Sequence, residues 1–363
     1  MQFKKNKFIN FYLSVDSFFK YAAYVKEIVK GHLLGRNIPV LVTLCVTNRC
    51  NLRCTYCYEA YYDRNHREFT TEEILKLIDE LYEMGTKYIS INGGEPFLRK
   101  DIEIIIDKVN ERNLLCHVST NGLFLAKHLD VLKRVDSIAI SLDGNRENND
   151  INRGKGTYDK IIEAFELLKE NNIKFHTSTI LTKNNINAVE DILDLASQYG
   201  FKSQFSALRG EDSPNKDIIL SDKELHEVFK KILVYKKQGR PIFFSSRAYE
   251  NALDWPFTYN KQMAFNEILP NYNRMECYLK RFSCHIEANG FVYPCIVLIN
   301  KYKALNFLEV GFEKAWKNLE NCDCKACYNI CTNDLNRTFG FRPEVIWNSI
   351  KISLGRIVHE RKS

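Results

Sequence analysis

Residues 40–58 read Val40-Leu41-Val42-Thr43-Leu44-Cys45-Val46-Thr47-Asn48-Arg49-Cys50-Asn51-Leu52-Arg53-Cys54-Thr55-Tyr56-Cys57-Tyr58. The first seven residues form an apolar, partly β-branched run of strand length. The polar segment after it delivers three thiols, at Cys50, Cys54 and Cys57. A strand that opens onto such a loop is the first half of a strand–helix unit, and the chain repeats the unit. Further β-like runs lie at 88–92, 115–120, 137–142, 175–180 and 202–207. Between them are amphipathic stretches with recognisable ends. Thr70-x-x-Glu73 is a capping box that opens a helix closing near Gly85, and Ser221-x-x-Glu224 opens another that ends near Gly239. Alternating strands and helices predict an α/β fold with a parallel sheet and right-handed crossovers. Six units suit a partial (β/α)6 TIM-type barrel better than a closed eight-fold one. In such folds the chemistry sits at the C-terminal ends of the strands.

The polar residues obey that rule. Cys50 to Cys57 follow the first strand, and Gly93-Gly94-Glu95-Pro96 follows the second. Ser119-Thr120-Asn121-Gly122 ends the third, and Ser141-Leu142-Asp143-Gly144 ends the fourth. Any one of these could be only a turn. Four in succession at the same end point to a ligand.

The 363 residues are 45% apolar and 27% charged, the balance of a globular protein with a proper core. The net charge of +7 is concentrated at the two ends. Residues 1–40 carry seven Lys/Arg against Asp16 and Glu27, residues 337–363 carry six against Glu344 and Glu360, and the long middle is close to neutral. A basic middle interleaved with aromatics would argue for nucleic acid, and it is absent. No apolar run is long enough to cross a membrane. The first apolar stretch is broken by Asp16 and Lys20, which argues against a secretory signal and makes the cytoplasm the expected compartment.

Twelve cysteines without an export signal argue for metal or catalysis rather than disulfides. Three fall within 50–57 and seven between Cys277 and Cys331, while Cys45 and Cys116 stand in strand-like runs and read as small core residues. Thiolates select iron–sulfur clusters, zinc or Cu(I). A structural zinc site would want a fourth local ligand, and His66 is nine residues on. Three cysteines on a four-iron cluster instead leave one iron open to a ligand. In the second group, Asn289-Gly290 between two short β-like runs predicts a hairpin that brings Cys284 and Cys295 to one end. Hairpin cysteines with a CxxC also suit a zinc ribbon.

Cys50-x3-Cys54-x2-Cys57, with Tyr56 before the third cysteine, resembles the signature of the radical S-adenosylmethionine (SAM) superfamily. The resemblance implies a 4Fe-4S cluster whose open iron chelates SAM, reductive cleavage to a 5′-deoxyadenosyl radical, and an electron donor such as flavodoxin or ferredoxin. It implies that Gly93, Gly94 and Glu95 meet the SAM amino group, with Glu95 the acceptor. Ser141, beside Asp143, would reach the ribose or carboxylate, and Arg153 would pair with the carboxylate through its guanidinium fork. It names no catalytic base.

Cys277-x6-Cys284-x10-Cys295 followed by Cys322, Cys324-x2-Cys327-x3-Cys331 resembles the C-terminal SPASM extension, or its shorter relative the twitch domain. The resemblance implies at least one auxiliary 4Fe-4S cluster, with Cys277, Cys284, Cys295 and Cys331 completing it. Cys322-x-Cys324 departs from the full pattern, and no cysteine follows Cys331, so a second auxiliary cluster would have an open iron. Sulfatase-maturing members carry an aspartate after the hairpin's second cysteine; Ile296 stands here, against that activity.

The expected organisation is a basic amphipathic extension (1–38), a core barrel (39–245), an auxiliary-cluster domain (246–336) and a basic tail (337–363). Phe8, Phe11, Val15, Phe18, Ala22, Val25 and Val29 form one helical stripe, and Ile346, Ile350, Leu354 and Ile357 another. Such stripes dock on the barrel or lie peripherally on the inner face of an anionic membrane. The substrate readings are a lipid or lipid-linked acceptor, a peptide, or a small metabolite. A non-catalytic iron–sulfur or zinc binding protein is the competing class, and a pure scaffold has no need of Gly-Gly-Glu-Pro at a strand end.

Overall fold

A computed structural model describes residues 3–57, 67–208, 213, 215–265 and 276–341, with side chains from residue 16 onward. The tail stripe at Ile346–Ile357 lies outside the described residues. Six parallel strands form the heart of the molecule: β1 (Leu41–Cys45), β2 (Tyr88–Asn92), β3 (Leu115–Thr120), β4 (Ser137–Ser141), β5 (His176–Leu181) and β6 (Lys202–Ala207). Each pairs with the next in chain order, as a partial barrel requires. Every run read from the sequence is a strand, to within a residue at each end.

The sheet does not stop at β1. After β7 (Met263–Ala264), β8 (Ser283–Ile286) runs parallel to β1, with Leu41 opposite Ser283 and Thr43 opposite His285. β9 (Phe291–Tyr293) and β10 (Leu305–Asn306) continue antiparallel, while β11 (Ala326–Cys327) pairs with β7. The predicted hairpin at Gly290 therefore exists, and it is spliced into the barrel sheet as one nine-stranded ladder.

Helices α1 (Phe3–Leu33), α2 (Thr71–Glu83), α3 (Ile102–Glu111), α4 (Leu129–Leu132), α5 (Arg146–Arg153), α6 (Thr157–Glu170), α7 (Val189–Tyr199) and α8 (Asp222–Lys237) accompany the six strands. Then come α9 (Ser246–Leu253), α10 (Leu279–Phe282), α11 (Phe307–Val310), α12 (Phe312–Asn318) and α13 (Ile330–Phe339). Both capping boxes close reciprocally, at Thr70/Glu73 and Ser221/Glu224. α2 buries Ile74, Leu77, Ile78 and Leu81, the i, i+3, i+4, i+7 face, against Val42, Leu44, Ile89 and Ile91 of the strands. Alternate strand residues face the other way. Thr43, Ser90, Asn92, His117, Ser119 and Ser178 are each only half-buried. A closed eight-fold barrel packs its interior with branched side chains. This interior is a polar chamber.

The latter part of α1 docks across the N-terminal ends of the strands. Tyr24 and Ile28 are buried in a cluster with Ile38, Val40, Leu41, Leu115 and Phe282, and Tyr24 packs on Tyr88. Lys20 is buried too, because it meets Asp136 at 3.3 Å, and Ser17 donates to the same carboxylate at 2.6 Å. The docked face is thus Lys20, Tyr24, Ile28 and Gly31, on the opposite side of the helix from the expected stripe. Phe18 is 46% exposed, and Ala22 and Val29 also face out, with Val25 half-buried. Counting only apolar residues misplaced the seam, since its members include a tyrosine, a paired lysine and a glycine whose missing side chain admits the Phe282 ring. Among the described residues no helix is long and apolar enough to cross a membrane.

Ile28→Ala is expected to cost about 3 kcal/mol of stability in chemical denaturation, the usual loss for a buried aliphatic truncation. Val29→Ala, one position away, should stay within about 0.5 kcal/mol. Equal losses would refute this seam.

Candidate functional site

The loop after β1 is clasped by the loop after β2. Gly94 donates its N–H to Thr47 O at 2.8 Å and Glu95 to Arg49 O at 2.9 Å, so the two loops continue the ladder beyond the strands. A Cβ on Gly94 would collide with the Arg49 carbonyl, and one on Gly93, which sits at φ 148°, would lie 2.5 Å from Thr47 O. Backbone-on-backbone approach is what both glycines permit. Glu68 adds a second support, accepting from Thr47 Oγ1 at 2.8 Å and from Asn48 N at 2.7 Å.

Glu95 is enclosed by its own chain. Its carboxylate is fully buried and accepts from Phe97 N, Thr120 Oγ1 and Asn121 N at 3.2, 2.8 and 2.7 Å. It ties the loop after β2 to the loop after β3. Burial pushes its pKa up to about 7 against the pull of those three donors.

Tyr56, Asp143 and Arg153, singled out separately in the sequence, form one network. Arg153 Nε donates to Asp143 Oδ2 at 2.8 Å, Tyr56 Oη donates to the same oxygen at 2.6 Å, and the Arg153 fork also reaches the Tyr56 hydroxyl. Burial alone would lower the arginine's pKa, but the Asp143 charge outweighs it and holds it raised. The guanidinium keeps further N–H groups that bond to nothing among the described residues, which suits a carboxylate ligand. α5 fastens the rest: Asn149 accepts from Asp143 N at 3.1 Å, and Asn152 O accepts from Thr55 N at 2.9 Å. Ser141 ends β4 on the chamber side, half-buried beside Ser178.

The Cys50, Cys54 and Cys57 thiols are half-buried on this clasped loop, and burial raises the pKa of the first two. Asn48 Oδ1, on the same loop, is buried with no hydrogen-bond partner. Three thiols on one clasped loop are the soft donor set that an iron–sulfur cluster takes.

The second cysteine group gathers differently from the expectation. Cys277, Cys295, Cys322, Cys324 and Cys327 lie close enough for their charges to interact, and burial first, then those neighbours, raises the Cys324 pKa. Cys284 stands apart. It points from β8 to the helix side, into the apolar core with Ile286, and only burial shifts it. The hairpin does bring Cys284 and Cys295 to one end, but strand alternation turns Cys284 away. Cys331, on the first turn of α13, is exposed.

Two residues, His285 and Glu287, went unread in the sequence. Cys45, taken for a core residue, faces the chamber with its Sγ 3.6 Å from His285 Nε2, and His285 lies 2.6 Å from Glu287 Oε1. The available signal was parity: Val42 and Leu44 face the helices, so Thr43 and Cys45 cannot.

A family model described as the Radical SAM superfamily matches residues 44–196. The mycofactocin maturase MftC of Mycolicibacterium smegmatis is 30% identical over 308 residues, 82% of this chain and 74% of that protein. The Fe-coproporphyrin III synthase of Methanosarcina barkeri is 30% identical over 250 residues, 65% of this chain and 62% of that protein. Among solved structures, Streptococcus suis SuiB bound to S-adenosylmethionine superposes with a TM-score of 0.61 at 17% identity, covering 79% of this chain and 68% of that one.

The Glu95 environment sets a pH dependence. Its folded pKa, about 7, lies above the ordinary carboxyl value. The folded state therefore holds the extra proton, and stability falls as pH rises from about 4.5 to about 7, by roughly 3 kcal/mol. Denaturation of SAM-free protein across that window should show the fall, and Glu95→Gln should remove it. An identical slope in the variant would deny the assignment.

Proposed function

The chain belongs to the radical SAM superfamily, with a cysteine-rich C-terminal region of the SPASM/twitch type, and from that membership we propose a division of labour among its residues. It is an enzyme that works with a substrate and an electron donor. When bound, its 4Fe-4S cluster and SAM supply reductive cleavage to a 5′-deoxyadenosyl radical that abstracts hydrogen. Cys50, Cys54 and Cys57 hold the cluster. The Arg153 fork holds the SAM carboxylate, and Asp143 and Tyr56 aim that fork. Gly93 and Gly94 press the thiol loop into place, Glu95 braces them from behind, and Ser141 offers a hydroxyl from the strand end. The single observation that carries this reading is the shared network of Tyr56, Asp143 and Arg153, which joins the thiol loop to α5.

Cys277, Cys295, Cys324 and Cys327 hold the auxiliary 4Fe-4S cluster, with Cys322 beside it as an alternative ligand. Cys284 is left out, since its thiol lies in a different core. The substrate enters the polar chamber and is a peptide, in keeping with the maturase named among the relatives. The electron comes from a small carrier of flavodoxin or ferredoxin type. A residence at the inner face of the membrane, and with it a lipid-linked acceptor, is the second reading. It is favoured by the outer face of α1, where Phe19 is 62% and Leu33 80% exposed beside the exposed Lys26 and Lys30.

Anaerobically reconstituted Cys54→Ala should make no 5′-deoxyadenosine from SAM and dithionite while keeping auxiliary-cluster iron, and Arg153→Ala should bind SAM roughly ten- to a hundred-fold more weakly. Wild-type 5′-deoxyadenosine output from Cys54→Ala would remove the cluster assignment.

For the second reading, the intact protein should sediment with anionic vesicles at low salt, each nearby basic residue contributing about 1 kcal/mol. Serine at Phe18, Phe19 and Leu33 together should abolish this without changing the melting temperature, because none of the three is in the docked seam. Indifference of the intact protein to vesicles would leave the peptide reading alone.

A further inference from the structure

The chamber holds a second set of converging donors, separate from both cysteine groups. Cys45 closes β1, and in the parallel register Thr43 lies opposite His285, so Cys45 stands level with Glu287 just beyond β8. All three side chains are buried. Cys45 Sγ, His285 Nε2 and a Glu287 oxygen lie within 4.8 Å of one another. The imidazole is caught between two acceptors, at 2.6 Å from Glu287 and 3.6 Å from Cys45, and its Nε2 has one proton to offer. Its other nitrogen, Nδ1, is buried with no hydrogen-bond partner. Asn92, opposite Cys45 in register on β2, has a buried amide oxygen in the same condition.

Charge points the same way. Among the described residues, no lysine or arginine pairs with Glu287. A buried carboxylate needs a counter-charge or a metal. A thiolate, a carboxylate and a neutral imidazole together balance a divalent cation. We propose that Cys45, His285 and Glu287 bind one divalent cation of zinc's preference, its fourth position turned toward Asn92 and the chamber. One sulfur, one nitrogen and one oxygen around a tetrahedral ion match zinc better than the octahedral all-oxygen preference of magnesium. Three protein ligands leave a position for water or for an oxygen atom of whatever occupies the chamber. The site would thus orient a substrate from the side of the chamber opposite β4 and β5.

Holoenzyme reconstituted with iron and sulfide, offered one equivalent of zinc and desalted, should retain about one zinc per chain. Its zinc-edge absorption spectrum should show one sulfur at about 2.3 Å and three nitrogen or oxygen atoms at about 2.0–2.1 Å. Cys45→Ser and Glu287→Gln should each lower retained zinc roughly tenfold with iron content unchanged, which keeps this result separate from the cluster assignments. Retention below about a tenth of an equivalent in the wild type would overturn the proposal and leave His285 and Glu287 as a hydrogen-bonded pair. A shell of four sulfurs would overturn it as well, by placing the zinc on cluster cysteines. The wild-type spectrum decides the matter even if a variant fails to fold.

Discussion

A buried ion pair governs the geometry of this protein. Asp143 is wholly inaccessible and Arg153 nearly so. Pairs of that kind add little net stability, because desolvation consumes most of the attraction, yet losing one partner costs about 3–5 kcal/mol. Its worth lies in location. Asp143 follows β4, Arg153 ends α5, and Tyr56 enters from between two cysteines of the loop after β1, so three separate segments share one oxygen atom. The Thr55–Asn152 contact repeats the link one residue away. A loop of irregular backbone carrying three thiols has no ladder of its own. It borrows rigidity from this network on one side and from the Gly93–Gly94 clasp on the other.

Much of this was legible in the chain. Strand runs and capping boxes are local signals, set by side-chain alternation and by hydrogen bonds three residues apart, and they appear where expected. Tyr56, Asp143 and Arg153 were legible as types in a motif, but their mutual bonding spans nearly a hundred residues and has no local trace. Glu95 was legible as important, but its bracing of two loops was not: an acidic residue after two glycines looks like an open acceptor, and only the neighbouring loop shows the three donors it already accepts from. The direction in which Cys284 points was not legible, for a simpler reason. Cysteine spacing carries no information about which face of a strand a thiol occupies until the strand's partner is known. Cys45 shows the converse: its burial was legible, and the face it occupies was not.

The docked face of α1 teaches a related lesson about amphipathicity. A stripe of phenylalanine and valine invites burial, yet the barrel's foot offers Tyr88, Asp136 and Phe282, and it selects Tyr24, Lys20 and Gly31 as their complements. Burial follows complementarity to the partner surface, not apolarity summed along one helix. The apolar residues left outside are accordingly informative, because docking has not used them.

The pairing of β8 with β1 has a mechanical meaning. Two bodies joined by a linker can swing apart; two regions sharing a main-chain ladder cannot, short of unzipping it. The hairpin that leads to Cys295 is therefore indexed to the strand that carries the thiol loop, and α13 packs against β6, α9 and α10. Among the described residues α1 covers the N-terminal ends of the strands, while the thiol loop lies at their C-terminal mouth. A molecule entering by that mouth meets the reactive end first, which makes the route of admission and the place of reaction one and the same.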